Sequence, residues 1–173
     1  GEPVSKKISI SGWVLVFIRG CAILLVISIG LVLKFLLRFL EKPLFGDMRP
    51  ATPFITVLVS KISLDLLSIQ VKRLGNPLEK PGALVANHSS WLDIFALNSY
   101  QRLYFVSKSE VARWPGIGLL AKATGTLFIR REAKEAFAQK KLLEQRIKMG
   151  HKLLFFPEGT STDGMRVLPF KSA

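Results

Sequence analysis

The sequence predicts an α/β fold: a mostly parallel sheet flanked by helices, preceded by N-terminal membrane-associated hydrophobic helices. Three observations predict it. An apolar stretch of 22 residues fills positions 12–33. From residue 69 onward, short apolar runs alternate with longer amphipathic ones, as strands do when helices carry the chain between them. Glycine and proline separate these runs at short intervals. Two units are expected: a membrane-anchoring helical segment over 1–66, and an α/β domain over 67–173 that ends before its own C-terminal part.

The first element is "GWVLVFIRGCAILLVISIGLVL", broken only by Arg19. Its length suits a hydrocarbon core of about 30 Å. Lys6 and Lys7 precede it and Lys34, Arg38 and Lys42 follow, so both flanks are basic and charge sets no orientation. Arg19 is expected to snorkel toward headgroups. Pro43, Gly46, Pro50 and Pro53 mark a connection, after which "FITVLVSKISLDLLS" (54–68) reads as a second helix, packed on the first or lying in the interface. "SIQVKRLG" alternates apolar and polar residues and reads as a first strand, followed by the turn "NPLEKPG". "ALVA" (83–86) and "LYFVS" (103–107) are two more strands. Residues 109–124 form a short helix interrupted at Trp114, Pro115 and Gly116, and "TLFIR" (126–130) is a fourth strand. A helix over 132–149 places Ala133, Ala136, Phe137, Leu143 and Ile147 on one face, with Gly150 as its stop. "KLLFF" (152–156) closes the set as a fifth strand.

Composition narrows the partners. The chain has 173 residues, and 25 basic against 12 acidic side chains give a net charge of +13. Such an excess attracts anionic surfaces. The apolar stretch makes lipid the better match, and no basic run interleaved with aromatics suggests nucleic acid. Cys21, His88 and His151 are the only soft ligands, so neither a disulfide framework nor a metal site is expected.

The residues that carry chemistry follow strands, where α/β sites gather. His88 lies two residues beyond "ALVA" and Glu158 two beyond "KLLFF". On one regular helix, His88 and Asp93 would diverge by about 140°. They meet only if His88 stays in the loop while Asp93 enters the first helical turn, which the capping residues Ser89 and Ser90 favour. A carboxylate holding one imidazole nitrogen leaves the other to take a hydroxyl proton. The plainer alternative is that "SWLD" is a capping box, with Asp93 serving a backbone N–H and His88 an ordinary loop residue. In "FPEGT", Gly159 permits an unusual backbone angle, Thr160 offers a hydroxyl, and Glu158 either accepts from a substrate hydroxyl or simply caps a loop. Arg130 and Arg131 end the fourth strand, suited to an anion or to plain solvation.

In this order, "NHSSWLD", "GTLFIRR" and "FPEGT" resemble the glycerolipid acyltransferase family, whose bacterial type is 1-acylglycerol-3-phosphate acyltransferase. Asn87, His88 and Asp93 match its first motif, Gly125 and Arg131 its second, and Phe156 to Thr160 its third. The resemblance runs from about Leu67 to Ala173, and the N-terminal helices look like the family's membrane anchor. It implies that His88 is the general base, oriented by Asp93, with no acyl-enzyme. It also implies that Arg131, Glu158 and Gly159 hold the acceptor headgroup. The donor it implies is acyl carrier protein or acyl-CoA, a co-substrate rather than a cofactor, and the location is the cytoplasmic face of a bacterial inner membrane. Phosphatidic-acid-forming members commonly carry arginine after F-P-E-G-T and aspartate before the second-motif arginine; here those places hold Ser161 and Arg130. "FPEGTSTDG" is in that respect similar to the branch that acylates lyso-ornithine lipid. The expected reaction is O-acylation of 1-acylglycerol 3-phosphate, with lyso-ornithine lipid as the alternative acceptor. Hydrolysis by the same His–Asp pair, or a non-catalytic lipid-binding module, are the readings from other classes. The family's fourth motif is expected beyond Ala173.

Overall fold

A computed structural model of the chain describes residues 8–130 and 132–171. Its first element, α1 (Ile10–Phe45), begins where Ser9 Oγ accepts from the Gly12 amide at 3.1 Å. The helix outruns the apolar stretch by three turns, through Lys34, Arg38 and Glu41. These residues face α2 (Thr52–Leu66), which returns antiparallel along α1. Arg19 donates to Ser68 Oγ at 2.8 Å, Lys34 Nζ to Thr56 Oγ1, and Glu41 accepts from the Thr52 hydroxyl at 2.7 Å. Arg19 is therefore tied to the far end of α2 as well as being near the start of the apolar stretch. Gly30 lets the two backbones approach, since a Cβ there would stand 2.4 Å from Val59.

The outer face of α1 stays uncovered: Trp13, Phe17, Leu24, Leu36 and Phe39 are each at least 60% exposed. It is the helix among the described residues that is long and apolar enough to cross a membrane.

Among the described residues four parallel strands follow: β1 (Gly82–Val85), β2 (Tyr104–Lys108), β3 (Leu127–Ile129) and β4 (Lys152–Phe155), in the spatial order β1-β4-β2-β3. Both faces of the sheet are covered, as the unbroken apolar runs require. On one face Tyr104, Val106, Leu127 and Leu153 pack with Leu143 and Ile147 of α5 (Ala136–Lys148). On the other, Leu103, Phe105 and Leu154 pack with Leu97 of α3 (Leu92–Asn98) and with Phe156. A 3-10 turn (Ser109–Arg113) and α4 (Ile117–Thr124) link β2 to β3, parted at Trp114–Gly116 as the sequence predicts. Pro115 has no amide to give, and Gly116 takes φ +69°.

Two expectations differ from the fold. "SIQVKRLG" is irregular rather than a strand. Its alternation has no neighbouring strand to pair with among the described residues; Arg73 Nε donates to the Gly75 carbonyl at 3.2 Å, and Tyr100, just past α3, donates to the Val71 carbonyl. The last helix begins later than residue 132, after a 3-10 turn at Ala133–Glu135. Phe137 then lies about 120° round the helix from Leu143 and is 81% exposed. Ala136, the first helical residue, is exposed as well.

Candidate active site

Register brings the first and third motifs together. β1 pairs with β4 so that Val85 stands opposite Phe155, and the Ala86 amide extends the ladder to the Phe155 carbonyl at 3.0 Å. His88 and Glu158 each lie three residues past this matched pair, in neighbouring loops at the C-terminal edge of the sheet. The chain leaving β1 is irregular through Ser90 before α3 begins, which keeps His88 off the helix.

Asp93, in the first turn of α3, points back at that loop. Its Oδ2 lies 2.8 Å from His88 Nδ1 and accepts from the Ser89 and Ser90 amides at 2.7 and 3.0 Å. The Asp93 amide in turn donates to the Ser90 carbonyl at 3.1 Å, and Ser90 Oγ accepts from the Leu92 amide at 3.2 Å. Capping and histidine orientation, alternatives in the sequence, are thus one arrangement. The carboxylate is fixed by two backbone donors and its third bond holds the imidazole. With Nδ1–H given to Asp93, Nε2 carries the lone pair. It has no hydrogen-bond partner among the described residues, and the His88 side chain is 22% exposed. A base of this kind can take a proton from a hydroxyl brought to Nε2.

The third motif supplies the walls. The Phe156 ring stacks on His88 with centroids 4.2 Å apart and 20° between planes, and Phe105 backs Phe156 at 5.8 Å. Beyond the motif, the Thr162 amide donates to the His88 carbonyl at 2.7 Å. The Lys171 amide donates to the Pro157 carbonyl at 2.9 Å, so the following segment folds back over the loop. Gly159 takes φ +70°, closing a turn in which its amide donates to the Phe156 carbonyl at 3.1 Å. Glu158 is 1% exposed, and neither carboxylate oxygen has a partner among the described residues. Thr160 is exposed, its hydroxyl 3.5 Å from the Ser161 carbonyl.

The sequence-predicted residues therefore divide. His88, Asp93, Glu158, Gly159 and Thr160 share one end of the β1–β4 pair. Arg130 does not join them: it follows β3, the far edge strand, with its side chain 61% exposed and Nη1 3.3 Å from Glu135 Oε1. Arg131 lies outside the described residues. Gly125, of the second motif, ends α4 at φ +82° and lies under the Arg49 guanidinium. Among the described residues, no group of three His, Cys, Asp or Glu is placed to hold a metal ion. Sequence reasoning missed two participants, the Phe156 ring as a platform and Thr162 as an anchor. Phe156 was legible as the head of the third motif; Thr162 acts chiefly through its amide, its hydroxyl adding a longer 3.4 Å bond to the same carbonyl, and no side-chain pattern announces it.

The family model described as "Acyltransferase" matches residues 68–173. The lyso-ornithine lipid O-acyltransferase of Rhodobacter capsulatus is 54% identical over 170 residues, covering 98% of this chain and 62% of that protein. The lyso-ornithine lipid O-acyltransferase of Pseudomonas aeruginosa is 34% identical, covering 88% of this chain and 59% of its own length. A 1-acyl-sn-glycerol-3-phosphate acyltransferase of Neisseria gonorrhoeae is 36% identical over 121 residues, 68% of this chain and 47% of that protein. The chain thus spans about three fifths of the length of the Rhodobacter and Pseudomonas proteins. The crystal structure of the 1-acyl-sn-glycerophosphate acyltransferase of Thermotoga maritima superposes with a TM-score of 0.54 at 23% identity, over 88% of this chain and 67% of that one, a likeness of fold.

Proposed function

The chain belongs to the acyltransferase family, and on that premise we propose that the protein moves a fatty acyl group from a thioester to the hydroxyl of a lysolipid. The observation that carries this is the 2.8 Å bond from Asp93 to His88 Nδ1, which leaves Nε2 open beside the third motif. In the proposed reaction His88 Nε2 takes the acceptor's hydroxyl proton as the oxygen attacks the thioester carbonyl carbon. The tetrahedral adduct collapses with cleavage of the C–S bond, and the imidazolium returns its proton to the departing thiolate. Asp93 stabilises the imidazolium while it lasts. Acyl carrier protein or acyl-CoA is the donor, and the net charge of +13 suits either anionic carrier.

The membrane is the proposed location. An apolar face as large as that of α1 is more than a soluble monomer leaves in water, and basic residues flank it. A site at the cytoplasmic face of a bacterial inner membrane would let a lysolipid present its head to the loops while its tail stays in lipid. Glu158, Gly159 and Thr160 are the proposed headgroup contacts, with Arg131 as the resemblance implies; Arg130, paired with Glu135 beyond the far edge strand, is not among them.

Two acceptors are supported. The similarity to the Rhodobacter protein and Ser161 after the third motif favour lyso-ornithine lipid; the similarity to the Neisseria protein favours 1-acylglycerol 3-phosphate. The test is acyl transfer by the full-length protein offered each acceptor with each donor. Conversion of either acceptor, abolished in His88→Ala, supports the proposal and identifies the headgroup. Fatty acid released without any acceptor would make it a hydrolase, and no turnover at all would leave a lipid-binding module.

A further inference from the structure

At the opposite edge of the sheet, where β2 and β4 begin, the connection between α1 and α2 forms one wall of a half-open cavity of about 200 Å³. That is well above the space one water needs. Arg49, Arg102, Tyr104, His151 and Lys152 line it. His151 is 4% exposed, its ring stacked on Tyr104 at 4.0 Å and 16°. Neither ring nitrogen has a partner among the described residues, nor has Arg49 Nε or Arg146 Nη1, and all four atoms are buried. Unpaired buried polar atoms each carry a desolvation cost. Three of the four sites are N–H donors, counting one imidazole N–H, and the charges around them are mostly positive. Among the described residues, Arg146 of α5, Arg49 of the connection, Arg38 of α1, and Lys152 and Arg102 at the strand starts surround this region, and the acids acting on its rings are Asp47 and Glu41. Asp47 is already paired with Arg38 at 3.7 Å, and Glu41 with the start of α2.

We propose that this cavity is an anion site for a phosphate group, separate from the His88 centre. A phosphate offers chiefly acceptors and a negative charge, so it satisfies the Arg49 donor and the imidazole N–H together while offsetting the nearby charge of Arg146. A neutral or cationic ligand would leave the excess charge in place. The site sits beside the end of α1, where Leu44 and Phe45 are exposed, so a lipid headgroup and free phosphate are both able to supply the group.

The proposal does not depend on the acyl-transfer reading, because His88 and His151 report separately. The measurement is the histidine ring resonances of isotope-labelled full-length protein in detergent, with His151 assigned by its loss in His151→Gln. One arm titrates inorganic phosphate against sodium chloride at matched ionic strength. A second adds vesicles of phosphatidylcholine with or without phosphatidylglycerol. The expected result is a saturable movement of the His151 signal while His88 stays fixed, with the His151 titration moving to higher pH as the anion offsets the surrounding cations. Lys152→Gln and Arg102→Gln should each weaken binding about tenfold, and an unmoved His88 signal shows that the variants keep their fold. Response to phosphate alone identifies the free ion, and response only to phosphatidylglycerol identifies a headgroup. An equal response to chloride, or none in either arm, overturns the site.

Discussion

The ring of Phe156 lies 4.2 Å from the ring of His88 and nearly parallel to it, so the strand that carries the third motif also sets the plane of the imidazole. Asp93 fixes one edge of that ring, and Phe156 fixes its tilt. Phe156→Leu keeps an apolar side chain of similar reach but no flat surface. Misplacing a base by about 1 Å costs on the order of 100-fold. The expected outcome is a kcat reduced by roughly 10- to 100-fold with KM little changed, measured as acyl transfer to a fixed lysolipid. Equal activity would mean that the stack is packing alone.

Asp93→Asn separates the two duties of that carboxylate. The amide oxygen still accepts from the Ser89 and Ser90 amides, so the start of α3 survives with a stability loss of about 1–2 kcal/mol. The negative charge that steadies the imidazolium is gone. Activity should fall by about 10²–10⁴, far more than the small shift in melting temperature would explain. A fall in activity only in proportion to unfolding would return Asp93 to a purely capping role.

How much of this was legible beforehand depends on whether a feature is local. The α/β class, four of the five expected strands, and the His88–Asp93 meeting all follow from local signals: apolar runs, caps, and a spacing that works only with His88 outside the helix. The stretch "SIQVKRLG" failed because alternation needs a partner strand, and pairing is settled by the rest of the chain. Arg19 and Lys34 were read as membrane-edge charges, but their partners, Ser68 and Thr56, lie 49 and 22 residues away. Nor did any pattern mark the cavity at His151, which joins residues from the α1–α2 connection to two strand starts.

Glu41 anchors the helix pair. Its carboxylate accepts from the Ala51 amide at 2.7 Å, the Thr52 amide at 3.2 Å and the Thr52 hydroxyl at 2.7 Å, and it stands 3.6 Å from Arg38. It thereby satisfies the start of α2 from the end of α1. In Glu41→Ala these donors lose their acceptor in a buried place. A destabilisation of about 2–4 kcal/mol is expected, read from denaturant unfolding in detergent. Glu41→Gln, which keeps one carbonyl oxygen, should recover part of it.

Gly125 is held by two constraints at once. Its φ of +82° is a left-handed conformation that ends α4, and an added Cβ would stand 3.0 Å from the Arg49 guanidinium and 3.2 Å from the Tyr104 ring. Gly125→Ala should therefore cost about 1–3 kcal/mol. Because Arg49 lines the cavity at His151, the same variant should weaken phosphate binding there. A melting temperature unchanged from the parent would contradict the close approach.

His151 makes stability depend on pH in a defined window. Burial first, then the positive charges of Arg146 and Arg49, push its pKa from the usual 6.5 down to about 4. Between those values the unfolded chain binds a proton at this residue and the folded chain does not. Lowering the pH through the window therefore favours unfolding, and the contribution present above pH 6.5 is lost by about pH 4. The loss approaches about 1.4 kcal/mol per pH unit. Carboxylates elsewhere titrate in the lower part of the same range, so the quantity to measure is a difference. His151→Phe keeps a ring to stack on Tyr104 and removes the titrating nitrogens. Its melting temperature should fall less steeply than the parent's between pH 6.5 and 4, and the two curves should run parallel above pH 7. Parallel curves across the whole range would mean that His151 is protonated as readily in the folded protein as in the unfolded chain, contrary to its burial among arginines.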